Sequence, residues 1–259
     1  MKDRYFQLGT GEQKVMVLHD FFASTASYLP LHDYLDKETF TYIFFDMRGY
    51  GKSKEVQGDY SLNEASQDCI ALANHLNWGS FHAVGHSMSG MVIQYLNSQI
   101  PNRILSATAI TPVPATGSSI PDDFLEYTRA GIRGDDSIIA EIIRNTSGGR
   151  YNEAFVQFKL KQFRSSATIE ARLSYLNMFS QNNISKEVQG LATPYHVIIG
   201  LCDTPWHNRE MMEKTFGLFF PNCTISEIAD ASHFPMQETP ILLASYIESF
   251  LKKTQLAHV

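Results

Sequence analysis

Gly85-His86-Ser87-Met88-Ser89 sets one serine between small residues two positions away on either side. An apolar, β-branched run at 81–86 leads into it and a helically spaced run at 91–100 leads out. A serine on a sharp strand-to-helix turn takes strained backbone angles, and the flanking positions must be small to avoid collision. Such a turn lifts the hydroxyl clear of the sheet. It also aims the first amides of the next helix at the same space, where they can stabilise a developing negative charge. A serine hydroxyl attacks a carbonyl only when an oriented base takes its proton. Asp203 directly follows the apolar run 195–201, and His233 follows the run 223–228 after a short loop. Ser87, His233 and Asp203 are therefore candidates for nucleophile, base and orienting acid.

These groups need a scaffold that gathers them. Short apolar runs recur at 14–19, 41–46, 81–86, 104–110, 195–201 and 223–228. Continuous runs of this kind suit strands buried on both faces of a parallel sheet. Between them lie helical patterns: 62–76, where Ser61 and Glu64 form a capping box, then 91–100 and 240–253. The alternation predicts an α/β fold with a mostly parallel central sheet and helices on both faces. In such sheets, functional groups collect at the carboxyl ends of the strands, where all three candidates fall. The alternation breaks over 111–190, which reads as helix after helix behind a proline-bearing linker at 111–123. Tyr151, Phe155 and Phe158 fall there at helical steps. This gives a core of 1–110 and 191–259 with a helical cap inserted at 111–190.

Composition narrows the function further. The chain has 259 residues, 44% of them hydrophobic, and a net charge of −6 with no long basic run, so a nucleic-acid partner has no electrostatic footprint. No apolar stretch near the start suits a signal peptide and none elsewhere suits a membrane span, which points to a cytoplasmic protein. Cys69, Cys202 and Cys223 fit neither a zinc spacing nor a disulfide framework and read as small buried thiols. No cofactor motif and no metal site is evident. Within 113–185, acidic residues such as Asp122 and Glu141 balance basic ones such as Lys159 and Arg172, among many aromatics. A neutral, aromatic lid suits a mainly apolar substrate that can be large.

The order Ser87, Asp203, His233 and the small-x-Ser-x-small turn resemble the α/β-hydrolase superfamily over nearly the whole chain. Two further stretches are similar. Residues 46–53, Asp-Met-Arg-Gly-Tyr-Gly-Lys-Ser, look like the family's turn after a central strand, which is mainly structural. Residues 17–22 look like its oxyanion loop. The resemblance implies that the backbone N–H groups of Phe21 and Met88 form the oxyanion hole and that the inserted helices are the family's cap. Asp20, Phe22, His86, Trp206 and Phe234 are the candidate substrate contacts.

The chain departs from the family pattern in two places. The stretch before residue 14 has room for one strand, so the usual first hairpin is expected to be abbreviated. Asp20 stands where the family usually has glycine. A carboxylate aimed at the oxyanion would oppose its charge by about 4 kcal/mol at about 4 Å and an effective dielectric near 20, roughly a thousandfold in rate. Asp20 should therefore turn away, either to accept hydrogen bonds from amides of its own loop or to line the substrate pocket.

Serine at the elbow argues against dehalogenases and epoxide hydrolases, which place aspartate there. The expected activity is hydrolysis of a carboxylic ester or lactone through an acyl-enzyme, with no cofactor. The alternatives are a carbon–carbon bond hydrolase or lyase using the same triad, and a ligand receptor with little turnover.

Overall fold

A computed structural model describes residues 2–118 and 120–256. Ser119, inside the expected linker, lies outside the described residues. In chain order the first half contains β1 (Tyr5–Leu8), β2 (Gln13–Leu18), β3 (Phe40–Phe45), α1 (Leu62–His75), β4 (Phe81–His86), α2 (Met88–Gln99) and β5 (Ile104–Ile110). The helices α3 (Asp122–Arg133), α4 (Asp136–Thr146), α5 (Glu153–Ser166), α6 (Ile169–Gln181) and α7 (Ser185–Val188) follow. The chain then forms β6 (Tyr195–Gly200), α8 (Arg209–Lys214), α9 (Phe216–Phe219), β7 (Cys223–Ile228), α10 (Pro235–Glu238) and α11 (Pro240–Leu256).

The strands form one sheet in the order β1-β3-β2-β4-β5-β6-β7, with β1 antiparallel to β3 and every other pair parallel. The apolar runs at 81–86, 104–110 and 223–228 coincide with β4, β5 and β7. β3 and β4 are buried along their whole length, which is why their sequences run apolar rather than alternating. Val84 lines a small void beside Tyr28, Leu31 and Ile247 of α11. A Cβ on the next residue, Gly85, would instead meet Ser89 and Ile93 of α2. Successive side chains on a strand point to opposite faces, so α2 and α11 cover the two sides of the sheet.

Several local expectations are refined. β1 is a single strand, as the short N-terminal stretch allows, but it pairs with β3 (Tyr5 opposite Phe45) and makes no hairpin with β2. Ser61 caps α1 by accepting from the Glu64 amide at 3.1 Å, while Glu64 reaches back to the amide of Tyr60 at 2.9 Å, one residue earlier than a capping box requires. Tyr151 precedes α5, because Asn152 caps that helix, and Phe158 faces outward at 50% exposure. The inward stripe of α5 is Val156, Lys159, Leu160 and Phe163. Cys69 is buried, but Cys202 and Cys223 are only half-buried, because one sits in the turn after β6 and the other opens the edge strand β7. No helix among the described residues is long and apolar enough to cross a membrane.

Candidate active site

Ser87 follows the last residue of β4 and precedes the first of α2, with φ 54° and ψ −116°. This strained conformation is over-determined by its neighbours. The Ser87 amide donates to Ile110 O at 2.9 Å, and its carbonyl accepts from Gly90 and Val113, each at 2.9 Å. Close approach explains the small neighbours. A Cβ on Gly85 would lie 2.4 Å from the Ser89 carbonyl oxygen, and the Ser89 hydroxyl donates to the carbonyl of His19. Gly85→Ala is therefore expected to destabilise the fold by about 1–3 kcal/mol, the usual cost of overpacking. Urea denaturation measures this, and an unchanged midpoint would mean that the turn is looser than the packing indicates.

The three candidate residues converge. His233 Nε2 lies 2.9 Å from Ser87 Oγ, and its Nδ1 lies 2.8 Å from Asp203 Oδ2. A carboxylate only accepts, so Nδ1 carries the proton and Nε2 is left to accept from the serine hydroxyl. The Thr204 amide donates to Asp203 Oδ1 at 2.6 Å, and the His233 amide donates to Thr146 O at the end of α4. Burial alone would lower the pKa of His233, but the charge and hydrogen bond of Asp203 outweigh it and hold the pKa above the ordinary value. Burial alone would raise Asp203, yet His233 and His207 hold it well below the usual carboxylate range.

The loop after β2 is braced from below and from above. His19 Nε2 accepts from the Met47 amide at 3.1 Å, so its Nδ1 carries the proton donated to Asp20 O at 2.7 Å. The Tyr50 hydroxyl donates to Phe21 O at 3.0 Å. Arg172, buried in α6, donates to the carbonyls of Phe21, Phe22 and Phe163. Asp46 gathers the amides of Thr25 and Lys52, each at 2.8 Å, and ties the turn at 46–53 to the end of the same loop. Among the described residues, no acceptor takes the amide of Phe21 or of Met88.

The candidate substrate contacts divide into three groups. Phe22 and Phe234 flank the histidine, with ring centres 6.4 Å and 5.3 Å from that of His233. Asp20 and His86 are fully buried beneath the site. Asp20 Oδ1 accepts from the Ala23 amide of its own loop at 2.9 Å. Trp206 is 64% exposed, and its neighbour His207 is the residue that meets the triad, with Nδ1 at 3.4 Å from Asp203 Oδ2.

His207, Arg172 and Lys159 were not singled out by sequence. Lys159 is fully buried, with Nζ 3.1 Å from Gln237 Oε1 and 3.8 Å from the centre of the Phe234 ring, and burial pushes its pKa down to about 8. The available signal was a cation inside an apolar stripe. Lys159 lies between Val156 and Phe163, and Arg172 lies three and four residues before Tyr175 and Leu176. A cavity of about 200 Å³ among α3, α5 and α6 has Phe163 and Arg172 in its wall, the same two residues that contact the loop at Phe21 and Phe22. Among the described residues, Asp203, His207 and His233 are the group whose donor atoms, all within 4.8 Å of one another, could hold a metal ion. Nδ1 of His233 is already committed to Asp203 there.

The model of the alpha/beta hydrolase fold family matches residues 14–240. The chain belongs to that family. It is similar to a dihydrolipoyllysine-residue acetyltransferase component of an acetoin cleaving system from Pseudomonas putida, with 30% identity over 124 residues, 48% of this chain and 33% of that protein. The chain thus spans about a third of that relative's length. The counterpart from Cupriavidus necator is matched over 38% of its length. Over full length the chain is similar to 3-oxoadipate enol-lactonase 2 of Acinetobacter baylyi, at 21% identity covering 96% of this chain and 92% of that protein. The crystal structure of an enol-lactonase from Burkholderia xenovorans LB400 shares the fold with a TM-score of 0.81 at 19% identity, covering 96% of this chain and 95% of that one.

Proposed function

We propose that this α/β hydrolase cleaves a carboxylic ester or lactone through an acyl-enzyme on Ser87. The observation that carries the reading is the continuous hydrogen-bond chain from Asp203 through His233 to Ser87 Oγ, at 2.8 Å and 2.9 Å. His233 Nε2 takes the serine proton as Oγ adds to the carbonyl carbon. The negative charge that forms on the carbonyl oxygen is met by the uncommitted amides of Phe21 and Met88, the latter at the positive end of α2. As the tetrahedral adduct collapses, His233 returns the proton to the leaving oxygen, which stays tethered when the substrate is a lactone. Water, deprotonated by the same nitrogen, then releases the acid. Asp203 holds the productive tautomer and stabilises the transient imidazolium.

The walls suggest the substrate class. Phe21 and Phe22 of the loop meet Phe163 and Phe179 of the helices and Phe234 beside His233. An aromatic-rich setting beside His233 favours a mainly apolar substrate. The enol-lactonase among the relatives supports including lactones.

A panel of nitrophenyl esters, aliphatic and aromatic lactones and a vinylogous diketone tests the reading, with Ser87→Ala as control. Ester or lactone turnover that is lost in Ser87→Ala is expected. Activity confined to the diketone would point to carbon–carbon bond hydrolysis. Tight binding without turnover, unchanged in Ser87→Ala, would point to a receptor.

A further inference from the structure

Among the described residues, two polar atoms beneath the triad face each other without hydrogen-bond partners. Asp20 Oδ2 and His86 Nδ1 are both fully buried, neither makes a hydrogen bond, and they lie 3.7 Å apart. The other end of each side chain is committed. Asp20 Oδ1 accepts from the Ala23 amide in the oxyanion loop. His86 Nε2 lies 2.7 Å from the carbonyl oxygen of His233. A carbonyl only accepts, so Nε2 carries a proton. A neutral His86 would then turn the lone pair of Nδ1 toward a carboxylate, leaving two acceptors opposed in a dry site, each bearing its full desolvation penalty.

One proton removes the conflict, and an approach of about 0.5 to 1 Å brings the pair to hydrogen-bond distance. We propose that Asp20 and His86 share a single proton and act as positioning residues, pinning the oxyanion loop to the loop that carries His233. Two full charges are not needed. Burial drives His86 down to about 3, while at Asp20 burial is outweighed by the charges of His86, Lys159, His19 and His233, which hold the carboxyl below its ordinary value. It is the facing of two unpartnered buried atoms that calls for the shared proton. His86 itself faces Asp20, His233 and, from α5, Lys159. The bridge gives the departure at position 20 a function that glycine cannot supply. It runs from the Ala23 amide through Asp20 and His86 to the backbone of the base, so it fixes the spacing between the oxyanion donors and His233.

The inference rests on the proposed hydrolase reading for its consequence but not for its detection. Proton NMR of the whole protein with ¹⁵N-labelled histidine should show a low-field bridging proton at His86 Nδ1 in the wild type and in Ser87→Ala, and its loss in Asp20→Asn. The proton between His233 and Asp203 should persist in all three. In kinetics, Asp20→Ala, which strands both partners, should lower kcat by roughly ten- to a hundredfold with little change in KM. Asp20→Asn, which can still accept from Ala23 and can donate to Nδ1, should recover most of that loss. Absence of the bridging proton in the wild type would overturn the proposal, as would an Asp20→Asn as impaired as Asp20→Ala. If Asp20→Ala does not fold, the wild-type spectrum decides. If Ser87 proves not to be the nucleophile, the spectrum still reports the bridge.

Discussion

Ser87→Ala is expected to leave the fold intact and to lower ester or lactone turnover by on the order of 10³ to 10⁶, because members of a triad act as a unit. The fold should survive because the strain at φ 54° is held by backbone bonds to Ile110, Gly90 and Val113, none of which uses the side chain. Alanine also has the same Cβ as serine. Circular dichroism and a thermal midpoint near that of the wild type would show that the loss is chemical. Retention of more than about a tenth of the activity would remove Ser87 as the nucleophile.

Asp203→Asn is expected to cost on the order of 10⁴ in kcat, through the wrong imidazole tautomer, and to change the pH profile. Turnover needs neutral His233, so kcat/KM rises with pH through the pKa of that residue. Burial works to lower this pKa, and the charge and hydrogen bond of Asp203 are what raise it above the ordinary histidine value. Removing the charge should therefore shift the acid limb to lower pH. A shift to higher pH, or no shift, would contradict the assignment. Asp46 is the control at another strand end. Its oxygens gather the amides of Thr25 and Lys52, so Asp46→Asn should cost stability first. An Asp46→Asn that stayed stable and lost turnover, beside an unaffected Asp203→Asn, would reverse the two roles.

The sheet was legible because strands buried on both faces run largely apolar, as β4 and β5 do, and because the edge strand β7, though mostly half-buried and partly polar, keeps Ile225 and Ile228 in a short β-branched run. The order and placement of Ser87, Asp203 and His233 were legible because each follows such a run. The partner of β1 was not, since strand pairing depends on tertiary contacts rather than on the composition of residues 5–8. The charge balance of 113–185 concealed two buried cations beside the site. A tally cannot separate Arg172 and Lys159, both buried against the site, from exposed partners such as Glu141 and Glu153. Trp206 was among the candidate substrate contacts, and beside it His207, which sequence did not single out, meets Asp203. The Thr204 hydroxyl also meets the His207 ring, at 3.2 Å.

The most direct measurement is intact-protein mass spectrometry after rapid acid quench with a slowly deacylating nitrophenyl ester. An acyl-enzyme mechanism gives one adduct whose added mass equals the acyl group, formed together with a stoichiometric burst of nitrophenol. Peptide mapping should place it on Ser87, and Ser87→Ala should show neither burst nor adduct. Steady turnover with no adduct, or an adduct mapped to Cys202 or another side chain, would contradict nucleophilic catalysis by Ser87.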